Sequence, residues 1–288
     1  MSNPSIDSTA GQPQLTPPPG ACDTHLHIYG PEQKYPIRQA GAFPGPPNSG
    51  VTDYQAVQKR LGLERLVIVQ PAAYGTDNRC TLDAMREFGD KARGVAVIGP
   101  DASDDELSQL TEAGIRGLRF FMLTGGALSW DILEPMAARV ADFGWHIQLQ
   151  MDGRLLHERV DVLSRLPTTL VIDHVGKFLE PVEPDHPGFI ALLRLVESGR
   201  CWVKLSAPYE TSKAGPPFFP DVGKLAKILV QTAPERMVWA SNWPHPSVRD
   251  GNFPDDAVLL DTLLDWVDDD LTRRRILADN PAELYGFG

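Results

Sequence analysis

The sequence predicts an α/β protein of the (β/α)8 TIM-barrel class, and three observations carry that prediction. Eight short runs rich in β-branched and apolar residues alternate with eight segments of helical spacing. The runs are nearly continuous in apolar character, as parallel strands covered by helices on both faces must be. The 288 residues suit one closed barrel of eight such units. An open doubly wound sheet uses the same alternation, but the first strand-to-helix turn lacks a G-x-G-x-x-G phosphate cradle.

In chain order the expected strands are ACDTHLHI (21–28), RLVIVQP (65–71), GVAVIGP (94–100), IRGLRFF (115–121), WHIQLQM (145–151), TTLVIDHV (168–175), CWVKLSAP (201–208) and MVWASNWP (237–244). The helical segments between them are TDYQAVQKRLG, CTLDAMREFGDKA, SDDELSQLTEAG, WDILEPMAARVADFG, LLHERVDVLSRL, PGFIALLRLVESG and VGKLAKILVQTA, and a long segment from 254 closes the chain. Ser103 with Glu106 forms a capping box that starts the third helix, and Gly114, Gly144 and Gly199 stand where helices should stop. Residues 1–20, rich in Pro and Ser, have neither the basic start nor the apolar stretch of a signal peptide. They are expected to form a flexible leader before a single barrel domain spanning 21–288.

Composition narrows the partners. A formal charge of −11 with no Lys/Arg cluster argues against nucleic acid and anionic membranes. No apolar run approaches the ~20 residues that cross a bilayer. Cys22, Cys80 and Cys201 are too few and scattered for a disulfide framework, so a cytoplasmic setting is expected. Cys22 and Cys201 read as core thiols. The sequence sets no oligomeric state.

Chemistry in a barrel gathers at the C-terminal ends of its strands. Strand one ends His25-Leu26-His27, where alternation points both imidazoles to one face. Strand two ends at Gln70, strand four carries Arg119, and strand five carries Gln148 and Gln150. Strand six ends Asp173-His174, strand seven holds Lys204 and Ser206, and strand eight holds Ser241-Asn242 with His245 just beyond. Alternation turns Asp173 away from His174. His146, His157 and His186 fall at a strand start, a helix and a loop and read as structural. The long connection 29–50 is expected to be a lid bringing Tyr35, Arg38 and Phe43 to the histidines, and the loop after strand seven, with Tyr209, Ser212 and Lys213, the opposite wall.

The segments CDTHLHIYGP, GIRGLRF, VIDHVGKF, VKLSAPYETSK and VWASNWPHPSV resemble the amidohydrolase superfamily, in its branch of 2-pyrone-4,6-dicarboxylate lactonase and D-galactarolactone isomerase. The resemblance implies an enzyme acting on a small anionic lactone from aromatic or sugar-acid catabolism, with His25, His27 and His174 polarising the lactone carbonyl. Arg119, Lys177 and Lys204 would hold substrate carboxylates, with Gln150, Tyr35, Tyr209 and His245 as further substrate contacts. No cofactor is expected; a zinc ion, if used, would be held by His25, His27 and His174. The strand-eight residue is Asn242, where the lactonase pattern has an Asp acting as general base, and an amide cannot take a proton at neutral pH. Hydrolysis is the first expectation. The alternative is isomerisation, with Asn242 positioning a hydroxyl of the substrate. In either case activity is expected to depend on pH near the histidine range.

Overall fold

The expected runs form eight parallel strands in a computed structural model that describes residues 11–39 and 45–288. They are β1 (Cys22–Leu26), β2 (Arg65–Val69), β3 (Ala92–Ala96), β4 (Ile115–Phe121), β5 (His146–Gln150), β6 (Leu170–Ile172), β7 (Cys201–Ser206) and β8 (Met237–Ala240). The strands follow one another in sequence order. β8 returns beside β1, where Asn242 N–H donates to His25 C=O (2.9 Å) and His27 N–H to Trp243 C=O (2.8 Å). The fold is a (β/α)8 barrel. Its helices are α1 (Val51–Leu61), α2 (Arg79–Phe88), α3 (Asp104–Glu112), α4 (Leu133–Ala141), α5 (Val160–Arg165), α6 (Pro187–Glu197), α7 (Pro220–Thr232) and α8 (Asp256–Trp266), followed by α9 (Asp270–Arg274) and α10 (Asn280–Tyr285).

Local rules set the boundaries. Ser103 Oγ accepts from Glu106 N–H at the start of α3, and Gly114, Gly144 and Gly199 take left-handed φ values that release the chain from helices. β6 is shorter than its apolar run, because His174, Val175, Gly176 and Lys177 all have positive φ and leave the sheet. Side chains alternate about the wall. Leu66 and Ile68 of β2 face the helix layer, while Val67 and Val69 join Cys22 and Val95 inside the barrel. Tyr285 and Phe287 fill the barrel's N-terminal end against that group. Arg65 and Arg93 lie over the Phe287 ring at 5.3 and 4.6 Å and donate to the carbonyls of Gly288 and Gly286.

Within the N-terminal segment, Gln14 and Leu15 N–H donate to the two oxygens of Asp261 on α8, and Leu15 is buried. Residues 1–10 and Phe43 lie outside the described residues. All three cysteines are buried and unpaired, as a core role requires. Among the described residues no helix is long and apolar enough to cross a membrane.

Candidate active site

The His-x-His pair ends β1. The ladder to β2 shifts register between Asp23 and Leu26. Asp23 turns toward α1, where Tyr54 Oη, Ser241 Oγ, and the N–H groups of Ser241 and His25 donate to its carboxylate. His25 and His27 face the barrel mouth, their Nε2 atoms 3.2 Å apart. His27 Nδ1 donates to Val69 C=O (2.8 Å), which fixes its proton there and leaves the Nε2 lone pair toward the pocket. Burial, with Arg119 nearby, pulls His27 down to about 3, and burial with Lys204 holds His25 well below the usual imidazole range.

Beneath them lies a charged cluster. Asp173 Oδ1 is 3.2 Å from His25 Nδ1, and Gln148 Nε2 donates to Asp173 Oδ2 (3.2 Å). Lys204 Nζ donates to Thr24 C=O (2.7 Å) and Gln148 Oε1 (2.8 Å), 3.8 Å from Asp173 Oδ1 and 3.4 Å from His25 Nδ1. Burial lowers Lys204 to about 8 while Asp173 opposes that fall, so the ammonium stays charged at neutral pH. The expectation that Asp173 faces away from His174 is overturned. Asp173 continues the inward alternation of Val171, and the left-handed backbone of His174 (φ 56°) swings the next side chain inward too. His174 Nδ1 meets Ser206 Oγ at 2.8 Å, and its ring centroid lies 5.0 Å from that of His25. Burial holds His174 low as well. Burial thus favours the neutral form of all three imidazoles.

Asn242 (φ 62°) stands opposite. Its Nδ2 donates to Tyr209 Oη (2.9 Å) and Glu210 Oε1 (3.3 Å), which uses both amide hydrogens and leaves Oδ1 as a free acceptor. Glu210 also accepts from Ser247 Oγ (2.5 Å) and from Lys177 Nζ through Oε2. Lys177, expected on a substrate carboxylate, is thus neutralised by a protein carboxylate. Lys204 is fully buried beneath the histidines. His245 Nδ1 lies 3.0 Å from Tyr209 Oη, behind Asn242.

Arg119 keeps donors unspent. Nη1 donates to Gln70 C=O (2.7 Å) and Nη2 to Gln150 Oε1 (3.3 Å), while the buried Nε has no partner. Tyr35 points elsewhere, its hydroxyl donating to Asp83 on α2 (2.6 Å). Arg38 is exposed near Asp77 (3.6 Å), Ser212 donates to Asp221 (2.5 Å), and Lys213 reaches Glu180 (3.4 Å) at the surface. His146 sits at the barrel floor, its ring 5.4 Å from that of Tyr285. Of the site residues, Gln148 was singled out on its strand but given no role, and Glu210 was passed over. Polar identity inside an apolar strand marked the first, and nothing in the loop sequence marked the second.

One ligand atom each from His25, Asp173 and His174 lies within 4.8 Å of the others. That group differs from the His25, His27 and His174 set expected for zinc, because Asp173 replaces His27. A divalent ion there would share Asp173 with the Lys204 ammonium 3.8 Å away. Two imidazoles and a carboxylate are a donor set that a divalent ion accepts, with the Lys204 ammonium competing for Asp173.

The chain is 36% identical over 287 residues to D-galactarolactone isomerase of Agrobacterium fabrum (strain C58 / ATCC 33970), covering 97% of this chain and 95% of that one. It is 34% identical over 284 residues to 2-pyrone-4,6-dicarboxylate hydrolase of Comamonas testosteroni (95% and 92%). An apo crystal structure of an Agrobacterium tumefaciens protein superimposes with a TM-score of 0.91 at 35% identity, over 97% of this chain and 98% of the other. The Amidohydrolase family pattern matches residues 22–287, and the chain belongs to that family.

Proposed function

We propose that the protein isomerises a small carboxylated lactone by passing the acyl group from the ring oxygen to another hydroxyl of the same molecule. The carrying observation is Asn242, whose amide hydrogens are both donated to Tyr209 and Glu210, which leaves Oδ1 as its acceptor. The Arg119 guanidinium takes the substrate carboxylate, and His174, with Ser206 Oγ donating to its Nδ1, offers its Nε2 hydrogen to the oxyanion. Each such donor is worth about 2.7–4 kcal/mol. Oδ1 of Asn242 accepts the hydrogen bond of the attacking hydroxyl and orients it. The proton passes to the lone pair of His27 Nε2, which faces His25 Nε2 at 3.2 Å, and returns to the departing ring oxygen.

The weakness of that base favours an internal nucleophile. An imidazole held near 3 activates water poorly. A hydroxyl tethered to its carbonyl acts at an effective molarity of ~10^5–10^8 M and needs less help. The other carboxylates near the mouth are committed, Asp173 to His25 and Lys204, and Glu210 to Lys177.

Hydrolysis is the second reading, favoured by the similarity to 2-pyrone-4,6-dicarboxylate hydrolase and to 4-sulfomuconolactone hydrolase of Hydrogenophaga intermedia (33% identity, 93% of this chain). Turnover of D-galactarolactone and 2-pyrone-4,6-dicarboxylate in ¹⁸O-water separates the two. Ring migration without label is the expected result; label in an opened product overturns isomerisation in favour of hydrolysis.

A further inference from the structure

We propose that Glu210 is a specificity-determining residue, because its carboxylate makes position 242 a place for an amide and keeps a water-activating carboxylate out. The inference rests on the reading above, that the strand-eight side chain decides between an internal hydroxyl and water.

The geometry is one of donors and acceptors. Glu210 Oε1 lies 3.3 Å from Asn242 Nδ2 and Oε2 receives Lys177 Nζ. An ionised carboxylate has only acceptors, so the atom of residue 242 facing it must carry a hydrogen. A carboxylate at 242 would set two anionic oxygens against each other at this separation, inside a buried wall. Like charges so placed share a proton, and one of the pair stays neutral well above its usual range. The charged and titratable groups around the position come from three loops and one helix: Lys177 after β6, Tyr209 and Glu210 after β7, His245 after β8, and, behind His245, Asp256 of α8, 3.2 Å from its Nε2. The single ammonium among them is already paired with Glu210. Ser247 Oγ, 2.5 Å from Oε1, holds the Glu210 carboxylate in place, so it does not turn aside. Asn242→Asp alone therefore supplies a base that is protonated at neutral pH. Removing the negative charge at 210 as well releases it.

The test compares Asn242→Asp with Asn242→Asp/Glu210→Gln, each labelled with ¹³C at the Asp carboxyl carbons and titrated by NMR. The expected result is a new carboxyl titrating above pH 6 in the single variant and at least one pH unit lower in the double. A midpoint near 4, the ordinary carboxylate value, in the single variant overturns the proposal, as do equal midpoints in both. If the double variant fails to fold, the midpoint of the single variant decides alone. Uptake of ¹⁸O from water at pH 7 with D-galactarolactone should rise at least tenfold from single to double variant. Label uptake by the unmodified enzyme would sink the isomerase reading while leaving the carboxyl midpoints as the measure of Glu210.

Discussion

The buried pair Asp173 and Lys204 can be tested by removing its charges singly and together. Both side chains are fully buried, with Oδ1 and Nζ 3.8 Å apart. At an effective dielectric near 20 their attraction is 332/(20 × 3.8), about 4 kcal/mol. Asp173→Asn leaves an ammonium buried beside Thr24 C=O, and Lys204→Met leaves a carboxylate held by His25 and Gln148. Each single change should cost about 3–5 kcal/mol, the usual penalty for stranding one member of a buried pair. The double variant strands neither, so its loss should fall short of the sum by about 4 kcal/mol. Urea unfolding of the four proteins at pH 7, followed by both fluorescence and circular dichroism, measures this. Additivity within 0.5 kcal/mol would refute the reasoning and show that the two charges do not stabilise one another.

Acid should destabilise the protein through its buried imidazoles. His27 and His146 are pulled to about 3 by burial, against an ordinary value of 6.5. Between those values the unfolded chain binds protons that the folded one refuses. The contribution is thus intact above pH 6.5 and is lost as pH falls toward 3, at up to about 1.4 kcal/mol per pH unit for each histidine. His146→Gln should give a shallower decline in unfolding free energy across that window, and an unchanged decline would sink the assignment. At the barrel floor, a Cβ on Gly117 would stand 2.4 Å from His146 Nε2. Gly117→Ala should therefore cost about 1–3 kcal/mol by overpacking, read as a lowered thermal midpoint; an unchanged midpoint would mean that the His146 ring yields freely.

The barrel was legible because its strands and helices obey local rules. Apolar β-branched runs, helix periodicity and terminal glycines each act over a few residues. The His25 and His27 pair was legible for the same reason, as alternation on an extended strand puts both rings on one face. Asp173 was misread because alternation fails where the chain leaves the extended region. The left-handed conformation of His174 depends on packing beyond β6, which the local sequence does not encode. Lys204 and Lys177 looked like hands for a substrate carboxylate. Their actual partners, Asp173 and Glu210, lie 31 and 33 residues away and become neighbours only when the barrel closes. Tyr35 was placed beside the histidines by sequence proximity, but the hydroxyl found an acceptor on α2 instead.

The aromatic stopper formed by Tyr285 and Phe287 ties the barrel's seal to residues remote in sequence from the strands it covers. Cys22, Val67 and Val95 stay dry only while both rings are in place. Replacing Tyr285 and Phe287 by Ala would uncork the cylinder at the pole opposite the catalytic mouth. Such a variant would be expected to soften from below while its histidines remain in place above.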